Sequence, residues 1–159
     1  MKTLAILLIL TWLVSPIKTM ANNLSEIRTV EIISIEKVPI VSCTINGKTA
    51  FFILDSGSDV SLLQHSEAEY FQFDCKKRAH KSITGASGGK QPLYEVSQVD
   101  LYIGQQSLQT QFYATDLSAI AKSLFLSVGF EISGIIGMDL MKKYGFEIDY
   151  RSSKLTLNS

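Results

Sequence analysis

The chain has 159 residues and a mass of 17.6 kDa, which fits one domain and excludes an enzyme that needs two full lobes in one chain. Hydrophobic residues make up 46% of the sequence and charged residues 19%, which excludes a disordered or highly charged tail-like chain. Fifteen basic and fifteen acidic residues give a formal net charge of zero, so no basic field is present to bind nucleic acid.

The first 21 residues have the pattern of a secretory signal peptide. Lys2 precedes an apolar run from Leu4 to Val14, which is followed by Ser15-Pro16 and a short stretch ending in Ala21. The apolar run is shorter than the roughly 20 residues that span a bilayer. We therefore predict cleavage after Ala21, a secreted or periplasmic protein, and no stable membrane anchor after cleavage.

The sequence that follows is typical of β-structure. Residues 28–35 are rich in β-branched side chains, and residues 38–45 continue this character up to Asn46-Gly47. Asn-Gly between two apolar runs predicts a β-hairpin, because both residues tolerate a positive φ. The return strand, residues 49–54, is apolar nearly throughout, as expected for a strand buried on both faces. It ends at Asp55-Ser56-Gly57-Ser58.

The middle of the chain predicts a short helix and a hairpin. Residues 64–72 are expected to be helical, with Ser66 as the N-cap and two glutamates in the first turn. The basic cluster Lys76-Lys77-Arg78 is typical of a solvated strand edge. Residues 84–89 are rich in glycine and predict a mobile hairpin tip. They do not form a phosphate loop, because no helix start or Gly-Lys-Ser/Thr follows them.

The second half of the chain predicts further strands and two helices. The strands are expected at residues 94–103, 107–115, 132–137, 146–150 and 154–157. The helices are expected at residues 117–126 and 138–144, the second of which ends at Gly145. Several short strands separated by turns every 8–12 residues or so indicate a small all-β sandwich or barrel.

The two cysteines leave the question of a disulfide open. Cys43 and Cys75 could pair in an oxidising compartment, whereas the apolar alternation around Cys43 is also typical of a small core residue. Neither His65 nor His80 has a partner at metal-ligand spacing, so we predict no metal site and no cofactor.

Asp55 is the candidate catalytic group. A carboxylate placed directly after a buried strand, on a Ser-Gly turn, would be held rigidly in a partly apolar setting of the kind that perturbs carboxylate pKa values. Asp-Ser-Gly is also ordinary turn chemistry, so these three residues alone are compatible with a purely structural turn.

The order and spacing of three motifs resemble the retropepsin-like (retroviral-type) aspartic proteases of the single-domain kind. The motifs are Asp55-Ser56-Gly57-Ser58, the glycine-rich tip, and Ile135-Ile136-Gly137. The resemblance implies an all-β, small closed barrel or sandwich with a β-hairpin flap and one or two short helices. It assigns residues 36–159 to the protease domain and residues 22–35 to an N-terminal strand or extension.

The resemblance also implies a role for each matching residue. Asp55 would be the catalytic carboxylate, supported in its loop by Ser56, Gly57 and Ser58. Residues contacting substrate would be Gly57, Asp59 and the flap residues Gly85, Ala86, Ser87 and Gly88. The element behind the catalytic loop would be Ile135, Ile136 and Gly137.

One position departs from the pattern of the family. Retroviral enzymes often carry an arginine after the glycine of this element, paired with the acid at the position of Asp59. This chain has Met138 there. Asp59 would then be solvated or serve another partner.

The count of carboxylates implies a homodimer. Aspartic proteolysis uses two close aspartates that share one proton, and this chain has one Asp-Ser-Gly. Asp139 and Asp149 lack the Ser/Thr-Gly context, so the second aspartate would be Asp55 of another copy, across a two-fold axis. The chain ends of the family it resembles interleave at the dimer interface, so the resemblance makes residues 146–150 and 155–157 the candidates for the interface, or else they are sheet core.

The resemblance predicts an aspartic endopeptidase acting on a peptide or protein substrate. A retropepsin-like module that binds peptide or protein without cleaving it is the alternative, because a fold does not by itself imply activity. A third reading is a secreted β-sandwich adhesion or structural domain in which Asp55-Ser56-Gly57 is only a turn.

Overall fold

The computed structural model describes residues 28–34, 38–84 and 89–158. The predicted signal peptide and the predicted flap residues 85–88 lie outside the described residues. Of the predicted N-terminal extension, residues 28–34 are described. None of the helices in the described ranges is long and apolar enough to cross a membrane.

The described residues form mainly strands. In chain order these are β1 (Arg28–Ser34), β2 (Ile40–Ile45), β3 (Lys48–Leu54), β4 (Leu62–Gln64), β5 (Asp74–Thr84), β6 (Lys90–Ser97), β7 (Leu101–Ile103), β8 (Gln106–Leu108), β9 (Tyr113–Thr115), β10 (Gly134–Ile136), β11 (Phe146–Asp149) and β12 (Lys154–Leu157). The helical elements are a 3-10 turn (His65–Glu67), α1 (Ala68–Phe71), α2 (Ser118–Val128) and α3 (Met138–Lys143).

The strands pair into a single sheet that is open. Its order is β11-β12-β1-β2-β3-β10-β4-β9-β6-β5, and β7 pairs with both β2 and β8. The all-β prediction is confirmed. The barrel does not close, because β11 and β5 lie at opposite ends of this path and do not pair with each other. The basic cluster 76–78 lies on β5, so its predicted place at a strand edge is confirmed.

The Asn46-Gly47 hairpin between β2 and β3 is confirmed. Asn46 and Gly47 have φ of 49° and 80°, the left-handed values that the tight hairpin turn requires. The Asn46 side-chain amide donates to the carbonyls of Phe71 and Gln98, each at 2.9 Å, and its oxygen accepts from the Asp100 N–H at 2.8 Å. The turn is therefore tied to two other loops as well as to its own strands.

The predicted helix at 64–72 is wrong in its first half. β4 continues to Gln64, whose buried backbone N–H donates to the Ser133 carbonyl at 2.8 Å. Because residues up to Gln64 belong to the sheet, the first helical turn begins at His65, and Ser66 lies inside this 3-10 turn and caps no helix. Only Ala68–Phe71 is α-helical.

Each of the two long strands predicted at 94–103 and 107–115 is divided in two. The first breaks between β6 and β7, where Gln98 has a φ of 61°. In this turn the Asn46 side chain forms hydrogen bonds with the Gln98 carbonyl and the Asp100 N–H. The second breaks between β8 and β9, where the Gln109 N–H donates to the Tyr144 hydroxyl at 2.9 Å. The helices predicted at 117–126 and 138–144 are confirmed with shifted ends, and Gly145 has the positive φ of a helix stop, 54°.

The buried apolar residues of the described ranges form two hydrophobic clusters. The larger includes Cys43, which is 2% exposed, and half-buried Cys75 packs against it. Both cysteines are free thiols, so the core interpretation of Cys43 is confirmed and no disulfide joins the pair. The second cluster combines Ile53 and Ile135, beside the Asp55 loop, with Leu124 of α2.

Candidate active site

Asp55 follows the last residue of β3 and is half-buried. Its Oδ1 accepts a hydrogen bond from the Gly57 N–H at 2.8 Å, and its carbonyl accepts one from the Ser58 N–H at 3.1 Å. Its own N–H donates to the Ile136 carbonyl at 3.0 Å. The backbone on both sides of the carboxylate is therefore fixed, and the Asp-Ser-Gly segment forms the tight turn that the sequence predicts.

Gly57 and Ser58 shape this turn in different ways. A Cβ on Gly57 would lie 3.1 Å from Asp55 Oδ1, so glycine allows the carboxylate to approach the backbone closely. The Ser58 hydroxyl donates to the Val60 carbonyl at 2.7 Å, which closes the loop on its far side. Ser56 and Gly57 are exposed to solvent, where a substrate or a second chain can reach them.

The strand β10 lies behind the loop. It pairs in parallel with β3, with Ile135 opposite Ile53 and Ile136 opposite Leu54, and it pairs antiparallel with β4 on its other side. Because β3 enters the loop and β4 leaves it, β10 is the strand that holds the two ends of the loop in place. Ile135, Ile136 and Gly137 thus lie directly behind the Asp55 loop.

Two glycines of this element leave no room for a side chain. A Cβ on Gly134 would lie 2.3 Å from the Phe52 ring and 2.5 Å from the Leu62 carbonyl. A Cβ on Gly137 would lie 2.6 Å from the Val60 carbonyl. Real Cβ atoms do not approach other atoms this closely, so the contact between β10 and the Asp55 loop requires glycine at both positions.

Ser61 and Asp139 form a polar connection behind the loop that sequence reasoning missed. The buried Ser61 hydroxyl accepts from the Gly137 N–H at 3.0 Å and donates to Asp139 Oδ1 at 2.7 Å. The other carboxylate oxygen, Oδ2, accepts from the Thr110 hydroxyl at 3.0 Å. The signal available in the sequence was an acidic residue in the first turn of the predicted helix, directly after Gly137 and Met138.

The other two acids considered in the sequence lie in different settings. Asp59 is exposed, and no hydrogen bond or ion pair within the described ranges engages its carboxylate. Asp149 turns the β11–β12 hairpin by accepting from the Arg151 N–H at 2.8 Å and from the Ser152 hydroxyl at 2.6 Å. The hydrogen bond from Ser152 lowers the pKa of Asp149, as do the two backbone N–H groups of the turn. Asp149 is thus a turn residue.

The hairpin predicted as a flap is formed by β5 and β6. Its arms pair up to the tip, with Ile83 opposite Gln91 and Thr84 opposite Lys90. β6 pairs with β9, which pairs with β4, so continuous backbone hydrogen bonding connects the flap arms to the strand that leaves the Asp55 loop. Contact of residues 85–88 with substrate stays a prediction.

The geometry can be compared with known proteins. A family model described as aspartyl protease matches residues 41–140, which include the Asp55 loop, both flap arms and the element behind the loop. No curated protein matches the chain significantly.

Solved structures share the fold at low sequence identity. The retroviral protease-like domain of Ddi1 from Leishmania major has a TM-score of 0.54 at 21% identity, covering 77% of this chain and 89% of that chain. EIAV protease, solved in complex with the inhibitor HBY-793, has a TM-score of 0.55 at 20% identity, covering 73% and 96%. A retropepsin-like aspartic protease from Rickettsia conorii has a TM-score of 0.53 at 18% identity, covering 84% and 92%. The chain belongs to the aspartyl protease family, with the fold of its retropepsin-like members.

Proposed function

We propose that the protein is an aspartic endopeptidase that hydrolyses peptide bonds as a homodimer, with one Asp55 from each chain. The observation that carries this proposal is the Asp55 turn itself. Its carboxylate is half-buried at the end of a buried strand, accepts the Gly57 N–H, and lies on a loop fixed from behind by β10. A catalytic group needs this kind of support to hold its geometry within a fraction of an ångström.

The chemistry follows from bringing two such carboxylates together. Like charges roughly 3 Å apart cannot both ionise, so the pair holds one proton between them. The ionised aspartate takes a proton from a water molecule, and the oxygen of that water attacks the peptide carbonyl carbon. The protonated aspartate donates its proton to the carbonyl oxygen. Collapse of the tetrahedral intermediate breaks the C–N bond and returns a proton to the leaving amine. The apparent pKa values belong to the pair.

The second aspartate has to come from another chain. Asp139 accepts two hydroxyl hydrogen bonds, and Asp149 is engaged in a hairpin turn, so each has a structural role within its own chain. A homodimer with a two-fold axis between the Asp55 loops supplies the pair. Ser56 is exposed to solvent, and in this dimer its hydroxyl would contact the facing loop.

Residues 146–150 and 155–157, the two candidates for the dimer interface, differ in burial. Leu155 and Leu157 are fully buried in the core of their own chain. β11 ends the sheet, and its Phe146 and Ile148 are half-buried. β11 is therefore the better candidate for contact with the second chain, because an edge strand offers unpaired backbone groups.

The substrate would be an extended peptide lying between the flap and the Asp55 loop, paired with the flap by strand-like hydrogen bonds. Gly57, Asp59 and residues 85–88 are the proposed contacts. The N-terminal pattern of residues 1–21 supports a secreted or periplasmic location.

The experiment that tests this function uses the mature protein, residues 22–159. Its mass is measured in solution, and cleavage of a peptide library is followed from acidic to neutral pH. We expect a dimer whose cleavage is abolished by Asp55→Asn. The matched control is Asp116→Asn, since Asp116 is exposed just before α2 and the asparagine oxygen can still accept the hydrogen bond from the Ser118 N–H.

Three results would count against the proposal. If the Asp55→Asn variant still cleaves peptides, Asp55 is not the catalytic residue. Activity from a strictly monomeric protein removes the argument for a shared pair. A dimer that binds peptides and cleaves none of them supports the non-catalytic binding module.

A further inference from the structure

A cleft separate from the Asp55 loop lies between α2 and the turn that follows β4. Its volume is about 650 Å³, within the size range of sites that hold organic ligands. It is lined by Gln64, Ser66, Glu67, Ser118, Ala121, Lys122, Phe125, Leu126, Glu131 and Ile132. We call it the α2 cleft. None of the residues proposed for catalysis lines it.

Two carboxylates that line one wall of the α2 cleft, those of Glu67 and Glu131, have little positive charge near them. Glu67 Oε2 is fully buried and has no hydrogen-bond partner within the described ranges. Burial raises the pKa of Glu67, a hydrogen bond from Ser133 lowers it, and the nearby charge of Glu131 raises it again. This oxygen is closed to solvent, so a cation in the cleft would act on it through its charge, while exposed Glu131 is open to direct contact. A buried, unpaired carboxylate oxygen next to a second acid costs free energy, and the field of such a cation would reduce that cost.

The cleft contains one basic side chain, Lys122. It is exposed on the first half of α2 and forms no ion pair with Glu67 or Glu131 in the described part of the chain. The charge of Lys122 acts on the carboxylate of Asp116, whose pKa it helps to lower. An exposed lysine stays hydrated, so its effect in the cleft is a diffuse repulsion of other cations. The two acids outnumber it, and the lining is acidic overall.

The other wall is apolar and faces solvent. Phe125 is 46% exposed and Leu126 is 90% exposed, although both belong to a helix whose Leu124 is packed into the core. Ile132, at the base, is 1% exposed. An occupant that covers this wall therefore needs apolar groups as well as a positive charge.

The chemistry of the two walls excludes a simple metal site. Within the described residues, no three histidine, cysteine, aspartate or glutamate side chains are grouped so as to hold a metal ion. The volume also exceeds what a bare ion needs. An organic cation on an aliphatic stem fits both the carboxylates and the apolar wall.

We propose that the α2 cleft binds an arginine or lysine side chain of a peptide, with the cationic group beside Glu67 and Glu131 and an apolar neighbouring residue against Phe125 and Leu126. This recognition does not depend on peptide cleavage. It gives the protein a second contact for a basic, partly apolar peptide segment, separate from the Asp55 loop.

The test uses matched peptides and the full mature chain carrying Asp55→Asn, so that the probes stay intact. Binding of acetyl-Leu-Arg-Leu-amide is followed by NMR titration and compared with the same peptide containing citrulline, the neutral analogue of arginine. We expect the arginine peptide to bind about tenfold more tightly, as charge-assisted hydrogen bonds of this kind provide. The shifted amide signals should come from α2 and residues 131–133. Equal affinity for the two peptides, or no binding by either, would overturn the proposal.

Variants of the cleft test its two walls. Glu131→Gln and Glu67→Gln should each weaken binding of the arginine peptide, and Lys122→Ser should tighten it, because it removes the competing charge. Glu69→Gln is the control, since Glu69 is an exposed acid on α1 outside the cleft. Should Glu67→Gln fail to fold, exposed Glu131 still carries the charge test. Unchanged binding in Glu131→Gln would overturn the role of the acids.

A further peptide tests the apolar wall. Acetyl-Gly-Arg-Gly-amide keeps the charge and removes the apolar neighbours, so we expect it to bind more weakly than the leucine peptide. Leu126→Ala should weaken only the leucine peptide. If the glycine peptide binds as tightly as the leucine peptide, the cleft takes an isolated cation and the peptide assignment is overturned.

Discussion

The Ser61 hydroxyl and the Asp139 carboxylate are joined by a hydrogen bond of 2.7 Å that connects the end of the Asp55 loop, just before β4, to the first turn of α3. The same hydroxyl accepts the Gly137 N–H. Asp139 therefore has a structural role: through Ser61 it stabilises, from behind, the loop that carries Asp55.

Removal of the Asp139 carboxylate should destabilise the fold. Asp139→Ala leaves the Ser61 and Thr110 hydroxyls without their acceptor, and we expect a loss of roughly 2–4 kcal/mol in the free energy of unfolding. Asp139→Asn keeps one acceptor oxygen and should lose less. Urea unfolding of the three proteins measures both changes. An unchanged midpoint for Asp139→Ala would show that this connection contributes nothing to stability.

Gly134 should tolerate no side chain. In Gly134→Ala the new Cβ would overlap the Phe52 ring and the Leu62 carbonyl, and we expect a cost of about 3 kcal/mol or more, or no folding. Gly89→Ala is the matched control, because no atom of the described residues lies within 4 Å of a Cβ at that position. The comparison is made by thermal unfolding. Equal melting temperatures for the two variants would contradict the close packing of β10.

Glu67 should make stability fall as the pH rises. Burial raises its pKa in the folded state, so between the unfolded and folded pKa values the native protein binds more protons than the unfolded chain. The slope of unfolding free energy against pH is therefore negative for this group, and the loss is complete above the folded pKa. Glu67→Gln should match the wild-type protein at about pH 3.5 and be more stable at about pH 7. Melting curves at both pH values check this.

The control for the pH experiment is Glu69→Gln, an exposed neighbour for which no such difference is expected. A gain for Glu67→Gln that is equally large at both pH values would mean that charge is not its cause. Proteolytic self-digestion is avoided by making every comparison in the Asp55→Asn background.

The two thiols should differ in reactivity. Cys43 is almost fully buried and its pKa is raised far above the ordinary value by burial, whereas Cys75 is only half-buried and its pKa is raised less, by burial and then by the charge of Asp74. The thiolate is the reactive form, so iodoacetamide should label Cys75 first and Cys43 only after unfolding. Intact-mass measurement counts the labels. Resistance of both residues that disappears on reduction would reveal a disulfide instead.

Features with a strong local signal were predictable from the sequence. Asn46-Gly47 has the residues that a tight hairpin turn requires, and the apolar run before Asp55 is typical of a buried strand. The turn was predicted at the correct residues, and the strand was predicted with the correct end at Leu54 and a start one residue late. Ile135-Ile136-Gly137 was placed behind the loop by its resemblance to family motifs. Local residue chemistry was enough in these places.

The errors arose where distant residues decide the local structure. Ser66 has the chemistry of an N-cap, but the Ser133 carbonyl extends β4 through Gln64 and leaves no helix start to cap. The break after β6 depends on the Asn46 side chain, about 50 residues away. The Ser61–Asp139 bond likewise joins residues 78 apart, and no local pattern contains such a pairing.

The position of β10 between β3 and β4 also has a consequence for the order in which the chain folds. The Gly137 N–H and the Ser61 hydroxyl are 76 residues apart in the chain, so their contact closes a long loop, and we expect it to form late in folding. During synthesis, the Asp55 turn emerges long before the strand that supports it. A chain interrupted before Gly137 would carry the whole Asp-Ser-Gly motif and yet lack the backing that gives its carboxylate a fixed position.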